Sequence, residues 1–218
     1  HLLLKRAKKA SESMKGDIVQ YVTRRNFMRF GTGSNKIVML DLGTKKGVIE
    51  SLLRRDCQVV IVPAHTDYEE ILALNPDGIL ISDGPGDPEA VPYAIKSCQN
   101  LIGKKPLFGI GLGHQILALS LGAKTHKLAF GHRGTNQPVK YLENNRIYIT
   151  TQNHGFCIDE ESLKNTNIIV TMRNLNDNTI EGIKHKSHPA FSVQFDPEGY
   201  PGYSDTGFFY DEFVEMLH

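Results

Sequence analysis

Three short runs of apolar residues, separated by segments with helical spacing, constrain the fold of this 218-residue chain. The runs are KIVMLDL from Lys36, CQVVIVP from Cys57 and DGILISD from Asp77. Between them stand KKGVIESLLRRD and DYEEILALNP, in which apolar residues recur at the spacing of a helix face. Continuous apolar strands joined by helices are typical of a parallel sheet that is buried on both faces. The sequence therefore predicts an α/β fold with a doubly wound, mostly parallel sheet.

The second half of the chain begins in the same way and then changes character. A helix is predicted near residues 89–102, a fourth strand at Leu107–Ile110 and a helix over 113–121. After Gly122 the apolar runs become shorter and are flanked by polar residues, as in AKTHKL, PVKYL, RIYITTQ, NIIVTMRN, TIEGIKH and AFSVQF. These runs are predicted to be antiparallel strands appended to the sheet, and a final helix is expected over 206–217.

The first 35 residues differ from the rest, because they are basic, only weakly periodic and end in the linker-like GTGSN. We predict a basic connector or arm at 1–35 and one domain at 36–218. The cluster of Lys5, Arg6, Lys8 and Lys9 could indicate nucleic acid, but a solvated helix face is the preferred interpretation. The absence of an initial Met suggests that the sequence is a piece of a longer chain.

Composition narrows the classes of partner and compartment. The chain has 25 basic and 24 acidic residues and a net charge of +1, which argues against nucleic acid or an anionic membrane as a general partner. No apolar run approaches the roughly 18 residues of a membrane span. Its three cysteines are far apart and form no C-x-x-C pair, which favours a reducing, cytoplasmic location.

Two glycine-rich loops follow predicted strands, where ligands of doubly wound sheets gather. SDGPGDP, from Ser82, would offer free backbone N–H groups to a ligand, although a plain strand-to-helix turn explains it as well. GIGLGHQ, from Gly109, has the strand, tight turn and helix that usually display a nucleophile at the apex. The apex residue is Gly111, which has no side chain. A dinucleotide site is a weak alternative, because the glycines follow G-x-G-x-G after the fourth strand.

Two further loops carry polar groups. TQNHGF, from Thr151, places Asn153, His154 and Gly155 around a predicted turn, where they could bind an amide or carboxylate or could simply form the turn. FDPEG, from Phe195, ends a predicted strand with two acids around a proline. The nine histidines show no ligand spacing, and Asp196 with Glu198 has no further acidic or histidine partner, so no metal site is predicted.

Taken together, the four loops resemble a class I glutamine amidotransferase domain, specifically the amidotransferase half of the carbamoyl phosphate synthase small chain. The resemblance covers roughly residues 36–217 and includes FGHRGTNQPVK, which separates this branch from other amidotransferases. In that family a Cys at the elbow attacks the side-chain amide of glutamine, a His acts as its base and a Glu two positions later orients the His. Ammonia passes to a synthetase subunit, which would hold ATP and Mg, so the resemblance implies no cofactor in this chain.

This sequence departs from the family pattern at two of the three catalytic positions. Gly111 stands where the family has the nucleophilic Cys, and Asp196 stands where it has the His, so that only Glu198 is retained. A carboxylate is far less basic than imidazole, and Asp196 beside Glu198 would create like-charge repulsion. Replacement of the nucleophile by Cys57, Cys98 or Cys157 is not expected. The positions that the resemblance assigns to glutamine binding are present: Gly84, Gly86, Leu112, Gln115, Asn153, Gly155 and Phe156.

These observations predict a hydrolysis-deficient amidotransferase domain that keeps a glutamine pocket and docks to the large synthetase subunit. The resemblance also implies a further domain ahead of the connector. One alternative is a working glutaminase whose active residues are altered in this chain. Another is a glutamine-sensing or scaffold protein that has no synthetase partner.

Overall fold

The computed structural model describes residues 2–6, 16–199, 202 and 205–218, and it confirms the α/β class. The strands are β1 (Met28–Phe30), β2 (Asn35–Asp41), β3 (Cys57–Pro63), β4 (Gly78–Ile81), β5 (Leu107–Ile110), β6 (Thr125–Tyr141), β7 (Ile147–Ile158), β8 (Ile168–Asn174), β9 (Ile180–His185) and β10 (Ala190–Val193). The α-helices that enter the description below are α1 (Lys46–Leu53), α2 (Tyr68–Ala73), α3 (Pro92–Leu101), α4 (Leu112–Ser120) and α5 (Phe208–Glu215).

All ten of these strands belong to one sheet in the order β1-β3-β2-β4-β5-β10-β9-β8-β6-β7. The five central strands β3, β2, β4, β5 and β10 are parallel to one another. Antiparallel strands extend the sheet on both sides, with β1 at one edge and β9, β8, β6 and β7 at the other. The carboxyl ends of the parallel strands therefore meet at one edge, where ligands of such sheets bind.

Helices cover both faces of the sheet, as a doubly wound fold requires. Successive residues of β2 alternate between the two faces, so that Val38 and Leu40 belong to one buried cluster and Ile37 and Met39 to the other. Helices α2, α3 and α4 contribute to the first cluster, and α1 and α5 contribute to the second. Each central strand is buried on both sides, which explains its continuous apolar sequence.

Three predictions of local structure were wrong in the second half. AFSVQF, expected among the antiparallel pairs, contains β10, which is parallel to β5 and antiparallel only to β9. TQNHGF, expected as a turn, lies inside β7 and pairs with β6, with Arg133 opposite Asn153. AKTHKL and PVKYL lie largely on one long strand, β6, whose pairing with β7 is broken by register shifts. These segments lack the alternating apolar pattern of a strand, because their polar side chains face a cavity and a buried polar network instead of an apolar core.

The predicted arm at 1–35 contributes directly to the sheet. Met28–Phe30 form β1 against β3, and Val19 is buried against the rest of the chain. Residues 2–6 are helical with exposed side chains, whereas Lys8 and Lys9 of the basic cluster lie outside the described residues. The domain boundary at residue 36 stays a prediction. Among the described residues, no helix has the length and apolar character needed to cross a membrane.

Candidate active site

The strand–elbow–helix turn predicted around Gly111 is present. Strand β5 ends at Ile110, Gly111 adopts φ 57° and ψ −109°, and α4 begins at Leu112. The N–H of Gly111 donates to the carbonyl of Val193 on β10 over 2.9 Å, which ties the elbow to the neighbouring strand. A positive φ is costly for a residue with a side chain, so the backbone keeps the strained form of a nucleophile elbow without a nucleophile.

The carboxylate of Asp83 occupies the space above the elbow. An ideal Cβ on Gly111 would lie 2.1 Å from Asp83 Oδ1, far inside van der Waals contact. The same oxygen accepts the N–H of Leu112 over 3.1 Å. That N–H is the donor that the family resemblance assigns to the oxyanion or substrate. In this chain, therefore, Asp83 excludes a side chain at position 111 and also uses the donor beside it.

Lys45, which follows β2, joins Asp83 to Asp196 across the carboxyl edge of the sheet. Its Nζ lies 3.0 Å from Asp83 Oδ2 and 2.5 Å from Asp196 Oδ1. The Lys45 side chain is 38% exposed, whereas that of Asp196 is only 9% exposed. These three residues, here called the ion triad, carry two carboxylates and one ammonium. Asp196, which the family resemblance assigns to the base position, is thus engaged in an ion pair.

The pKa shifts of the ion triad follow from burial and mutual attraction. Burial alone would lower the pKa of Lys45, but the neighbouring Asp83 and Asp196 carboxylates raise it above its ordinary value. Burial raises the pKa of Asp196, and this rise is opposed by Lys45 and reinforced by Asp83. Lys45 therefore stays protonated, so that the triad provides no neutral amine to act as a base.

The side chain of Glu198, which the family resemblance identifies as the one retained catalytic position, contacts Tyr210. Its Oε2 accepts the hydroxyl of Tyr210 over 3.2 Å, and its Oε1 is buried with no hydrogen-bond partner among the described residues. Burial, reinforced by the charge of Asp196, raises the pKa of Glu198 to about 7. The repulsion expected between the two acids is present, and Glu198 has no imidazole to orient.

The residues predicted to hold glutamine surround one cavity of about 1030 Å³. The cavity is lined by all seven predicted binding residues, namely Gly84, Gly86, Leu112, Gln115, Asn153, Gly155 and Phe156. Asp83 and Asp196 also line it, and Lys127 and Arg133 bring positive charge to it. Asp196 and Asn153 further line a second cavity that contains Lys45 and Glu198. The structure brings the predicted positions together, while their role in binding stays a prediction.

Two of these positions are also explained by packing. A Cβ on Gly84 would lie 2.2 Å from the carbonyl oxygen of Leu42, so the close approach of two backbone segments requires glycine there. Gln115 is buried, and its Nε2 donates to the carbonyl of Phe156 over 2.8 Å and to Gln194 Oε1 over 2.7 Å. Only the Oε1 atom of Gln115 is left for a ligand, which makes this residue an acceptor in the cavity.

The three cysteines are buried free thiols that do not line the cavity. Burial raises the pKa of Cys57 to about 11 and those of Cys98 and Cys157 to about 12, so each stays protonated at neutral pH. The thiol of Cys157 lies 3.2 Å from His126 Nε2, but this pair lies on β7 and β6 outside the cavity lining. Protonated thiols are poor nucleophiles, so the cysteines offer no substitute for a residue at position 111.

Sequence analysis missed the residues that define the chemistry of this site. Asp83 lies in the SDGPGDP loop, whose interpretation as a ligand site rested on its glycines. Lys45 lies in the turn after β2. The available signal for both was a charged residue in the loop after a buried parallel strand. Gly16 and Ile18 also line the cavity. Both lie in the predicted arm, which was not expected to reach the site.

Similarity to known proteins agrees with the geometry. Residues 38–216 match the family model described as Glutamine amidotransferase class-I. The chain is 50% identical over 200 residues to a carbamoyl phosphate synthase small chain of Clostridium acetobutylicum, covering 92% of this chain and 57% of that protein. It is 49% identical over 201 residues to a carbamoyl phosphate synthase pyrimidine-specific small chain of Halalkalibacterium halodurans, covering 92% and 56%. The chain thus spans about half the length of the curated relatives it matches.

The fold also matches a solved structure. A crystal structure of a candidate GMP synthase component from Thermoplasma acidophilum superposes with a TM-score of 0.71. The two chains are 21% identical, and the match covers 86% of this chain and 96% of the chain in that structure. At that identity the likeness shows the shared fold alone.

Proposed function

Because the chain belongs to the class-I glutamine amidotransferase family, we propose that it is the amidotransferase half of a carbamoyl phosphate synthase small chain that does not hydrolyse glutamine. In this proposal it keeps a pocket for glutamine and docks to a large synthetase subunit. One observation carries the proposal: Gly111 at the elbow has no reactive atom, and Asp196, which the resemblance assigns to the base position, is paired with Lys45.

Hydrolysis of glutamine by this family's chemistry needs three things at the elbow. A thiolate must attack the amide carbon, a base must move a proton to the leaving ammonia, and N–H donors must stabilise the oxyanion. Here Gly111 has no reactive atom, Asp196 is paired with Lys45, and the N–H of Leu112 is engaged by Asp83. Each requirement fails through a different residue, which supports a consistent loss of hydrolysis.

Retention of glutamine binding is supported by the cavity. Its wall residues do not depend on the nucleophile, and Arg133 and Lys127 supply positive charge that suits an α-carboxylate. The Asp83 and Asp196 carboxylates lie at the same cavity and suit the positive charge of an α-ammonium or the N–H groups of an amide. A zwitterionic amino acid is therefore the class of ligand that matches the lining.

The hydrolysis step is tested by measuring ammonia release from glutamine by the unmodified chain. We expect none above the background of a protein-free sample. Ammonia release at a steady rate, in proportion to protein concentration, would support the alternative of a working glutaminase and overturn the proposal.

Ligand binding is tested separately by titration calorimetry with glutamine. We expect saturable binding that Asn153→Ala weakens, because Asn153 lines the cavity. The matched control is Asn100→Ala, which changes a partly buried asparagine on α3 that does not line the cavity and should leave binding unchanged. Absence of binding in the unmodified chain would remove the retained pocket from the proposal.

Docking is tested by co-expression with the large chain of a carbamoyl phosphate synthase. We expect the two chains to co-purify, since the relatives at about 50% identity are small chains of that synthase. Glutamine binding without co-purification would favour the glutamine-sensing or scaffold alternative.

A further inference from the structure

A second group of polar side chains lies beside the wall of the cavity. It consists of His132 on β6, His154 on β7 and Glu181 on β9. One imidazole nitrogen from each histidine and one carboxylate oxygen of Glu181 lie within 4.8 Å of one another. The Glu181 side chain is fully buried, and those of His132 and His154 are 11% and 8% exposed. Three strands of the antiparallel extension thus direct donor atoms to one point.

Hydrogen bonds at the outer side of each imidazole fix which nitrogen faces inward. His132 Nε2 lies 2.8 Å from Asp177 Oδ2, and His154 Nδ1 lies 2.8 Å from the carbonyl oxygen of Phe156. Both partners can only accept at neutral pH, so these outer nitrogens carry the hydrogens. The inner atoms, His132 Nδ1 and His154 Nε2, lie 3.3 Å and 3.9 Å from Glu181 Oε1.

The inner side of His154 is occupied by acceptors alone. With its hydrogen on Nδ1, the neutral ring presents the lone pair of Nε2 to Gln152 Oε1 at 3.1 Å and to Glu181 Oε1. Gln152 is not free to turn its amide, because its Nε2 reaches Thr150 Oγ1 and Glu181 Oε2, each over 3.0 Å. A buried point surrounded by lone pairs needs a positive charge. In the metal-free chain a protonated His132 supplies part of it, because hydrogen bonds to Glu181 and Asp177 raise its pKa to about 9, and a metal ion would replace that proton.

We infer that His132, His154 and Glu181 form a binding site for a divalent transition-metal ion, with zinc as the best match. Zinc prefers imidazole nitrogen and carboxylate oxygen in tetrahedral arrangements, with bonds of about 2.1 Å and ligand atoms about 3.4 Å apart. The observed separations are compatible with closure through side-chain shifts of the order of 1 Å. Gln152 Oε1 or a water would supply the fourth ligand.

The groups around these ligands have the arrangement found around bound metals. Ligating histidines generally donate their second N–H to a carboxylate or a backbone carbonyl, as His132 does to Asp177 and His154 to Phe156. The second carboxylate oxygen of Glu181 is held by Gln152. These contacts fix the tautomers and ring orientations before an ion arrives.

Sequence analysis predicted no metal site because the three ligands are far apart in the chain and show no local spacing. Strand pairing brings them together, with His132 opposite His154 in the β6–β7 register. His154 stands between Asn153 and Gly155, which line the cavity. A bound ion would therefore clasp β9 to the strands that form this wall.

The site is tested with the metal-free chain, prepared by chelation and titrated with zinc chloride against a chromophoric chelator. We expect one zinc per chain and, at 100 times the dissociation constant, a rise of about 5–10 °C in the unfolding midpoint. X-ray absorption of the bound zinc should show nitrogen and oxygen ligands without sulfur.

Three variants and one control assign the ligands. Glu181→Gln and His132→Asn should weaken zinc binding by more than about 100-fold, and Asp177→Ala, which changes a partly exposed side chain outside the ligand set, by about 10–100-fold. His65→Asn changes an exposed histidine and should leave zinc affinity unchanged. If a buried variant fails to fold, Asp177→Ala still decides the test.

Two results would overturn the inference. The first is the absence of zinc binding by the unmodified chain at about 100 µM zinc, well above the affinity of protein zinc sites. The second is binding that Cys157→Ala abolishes and Glu181→Gln and Asp177→Ala leave intact, which would assign the ion to the Cys157–His126 pair.

Discussion

The Asp83 carboxylate fills the space beside Gly111, because a Cβ at position 111 would lie 2.1 Å from Asp83 Oδ1 unless that side chain moved. The carboxylate is held in place by Lys45 Nζ at 3.0 Å and by the N–H of Leu112 at 3.1 Å. The absence of a side chain at position 111 is thus matched by a charged group that fills the neighbouring space.

The first prediction concerns the packing of Gly111 against Asp83. Gly111→Ala should lower the free energy of unfolding by about 2–4 kcal/mol, since it combines a strained positive φ with overpacking. Adding Asp83→Ala should recover part of this loss by removing the contact. Denaturant unfolding of the single and double variants measures the coupling as a double-mutant cycle.

A matched control separates backbone strain from the contact. Gly122 has φ +87° and no heavy atom within 4 Å of its ideal Cβ. Gly122→Ala should therefore cost about 1–2 kcal/mol, from strain alone, and Asp83→Ala should not reduce that cost. Equal costs at the two glycines, or additive effects with Asp83→Ala in both cases, would contradict the packing interpretation.

The second prediction concerns restoration of glutaminase activity. Gly111→Cys with Asp196→His should release little ammonia, because Asp83 still crowds the thiol and engages the Leu112 N–H. The triple variant that adds Asp83→Ala should be faster by up to about 100-fold, the typical value of one oxyanion donor. A steady-state ammonia assay compares the two variants. Equal rates would show that Asp83 does not obstruct the elbow.

The third prediction uses two adjacent lysines with different surroundings. Lys45→Met should destabilise the chain by about 1–2 kcal/mol at pH 7, because it leaves Asp83 and Asp196 together without their cation. The partial exposure of Lys45 keeps the cost below that of a fully buried pair. Lys46 is 88% exposed and pairs with Glu50 one turn along α1, so Lys46→Met should leave the stability nearly unchanged. Denaturant midpoints of the two variants give the comparison, and equal losses would contradict it.

The fourth prediction concerns pH. The pKa of Glu198 is raised to about 7 from 4.5, so between these values the folded chain binds more protons at this site than the unfolded chain. Its contribution to stability is complete below pH 4.5 and is lost as the pH rises through about 7, with a slope of up to about 1.4 kcal/mol per pH unit.

Glu198→Gln isolates this contribution from those of other titrating groups. The neutral amide keeps an acceptor for the Tyr210 hydroxyl but does not titrate. The stability of the variant relative to the unmodified chain should therefore rise by about 3 kcal/mol between pH 4.5 and pH 8. Thermal unfolding across this range tests it, and parallel curves for the two proteins would contradict the assigned pKa.

The parallel core could be predicted because a strand buried on both faces has few polar positions. KIVMLDL covers all of β2 except Asn35, and CQVVIVP is β3. Strand order and direction depend on pairing between distant segments. For this reason β10 was predicted to be an antiparallel strand, whereas it is parallel to β5. TQNHGF lacks alternation because its side chains meet a cavity and a polar network, and a turn was the natural but wrong interpretation.

The cavity positions could be listed from the family resemblance, whereas the ion triad could not. Lys45 and Asp196 are 151 residues apart, and their contact exists only because β2 and β10 end at the same edge of the sheet. The importance of Asp83 likewise depends on its distance from Gly111, which no local pattern contains. The sequence draws attention to Gly111 and Asp196, whereas only the structure shows that Asp83 and Lys45 lie beside them.

The ion triad makes the loss of a nucleophile hard to reverse. A cysteine introduced at position 111 meets the Asp83 carboxylate, and removal of Asp83 or Asp196 alone leaves Lys45 with half of its neutralising charge. Each of these single substitutions is therefore expected to lower stability. Several coordinated substitutions would therefore be needed to build a hydrolytic site here. The ion pairs of Lys45 with Asp83 and Asp196 meanwhile stabilise the present arrangement.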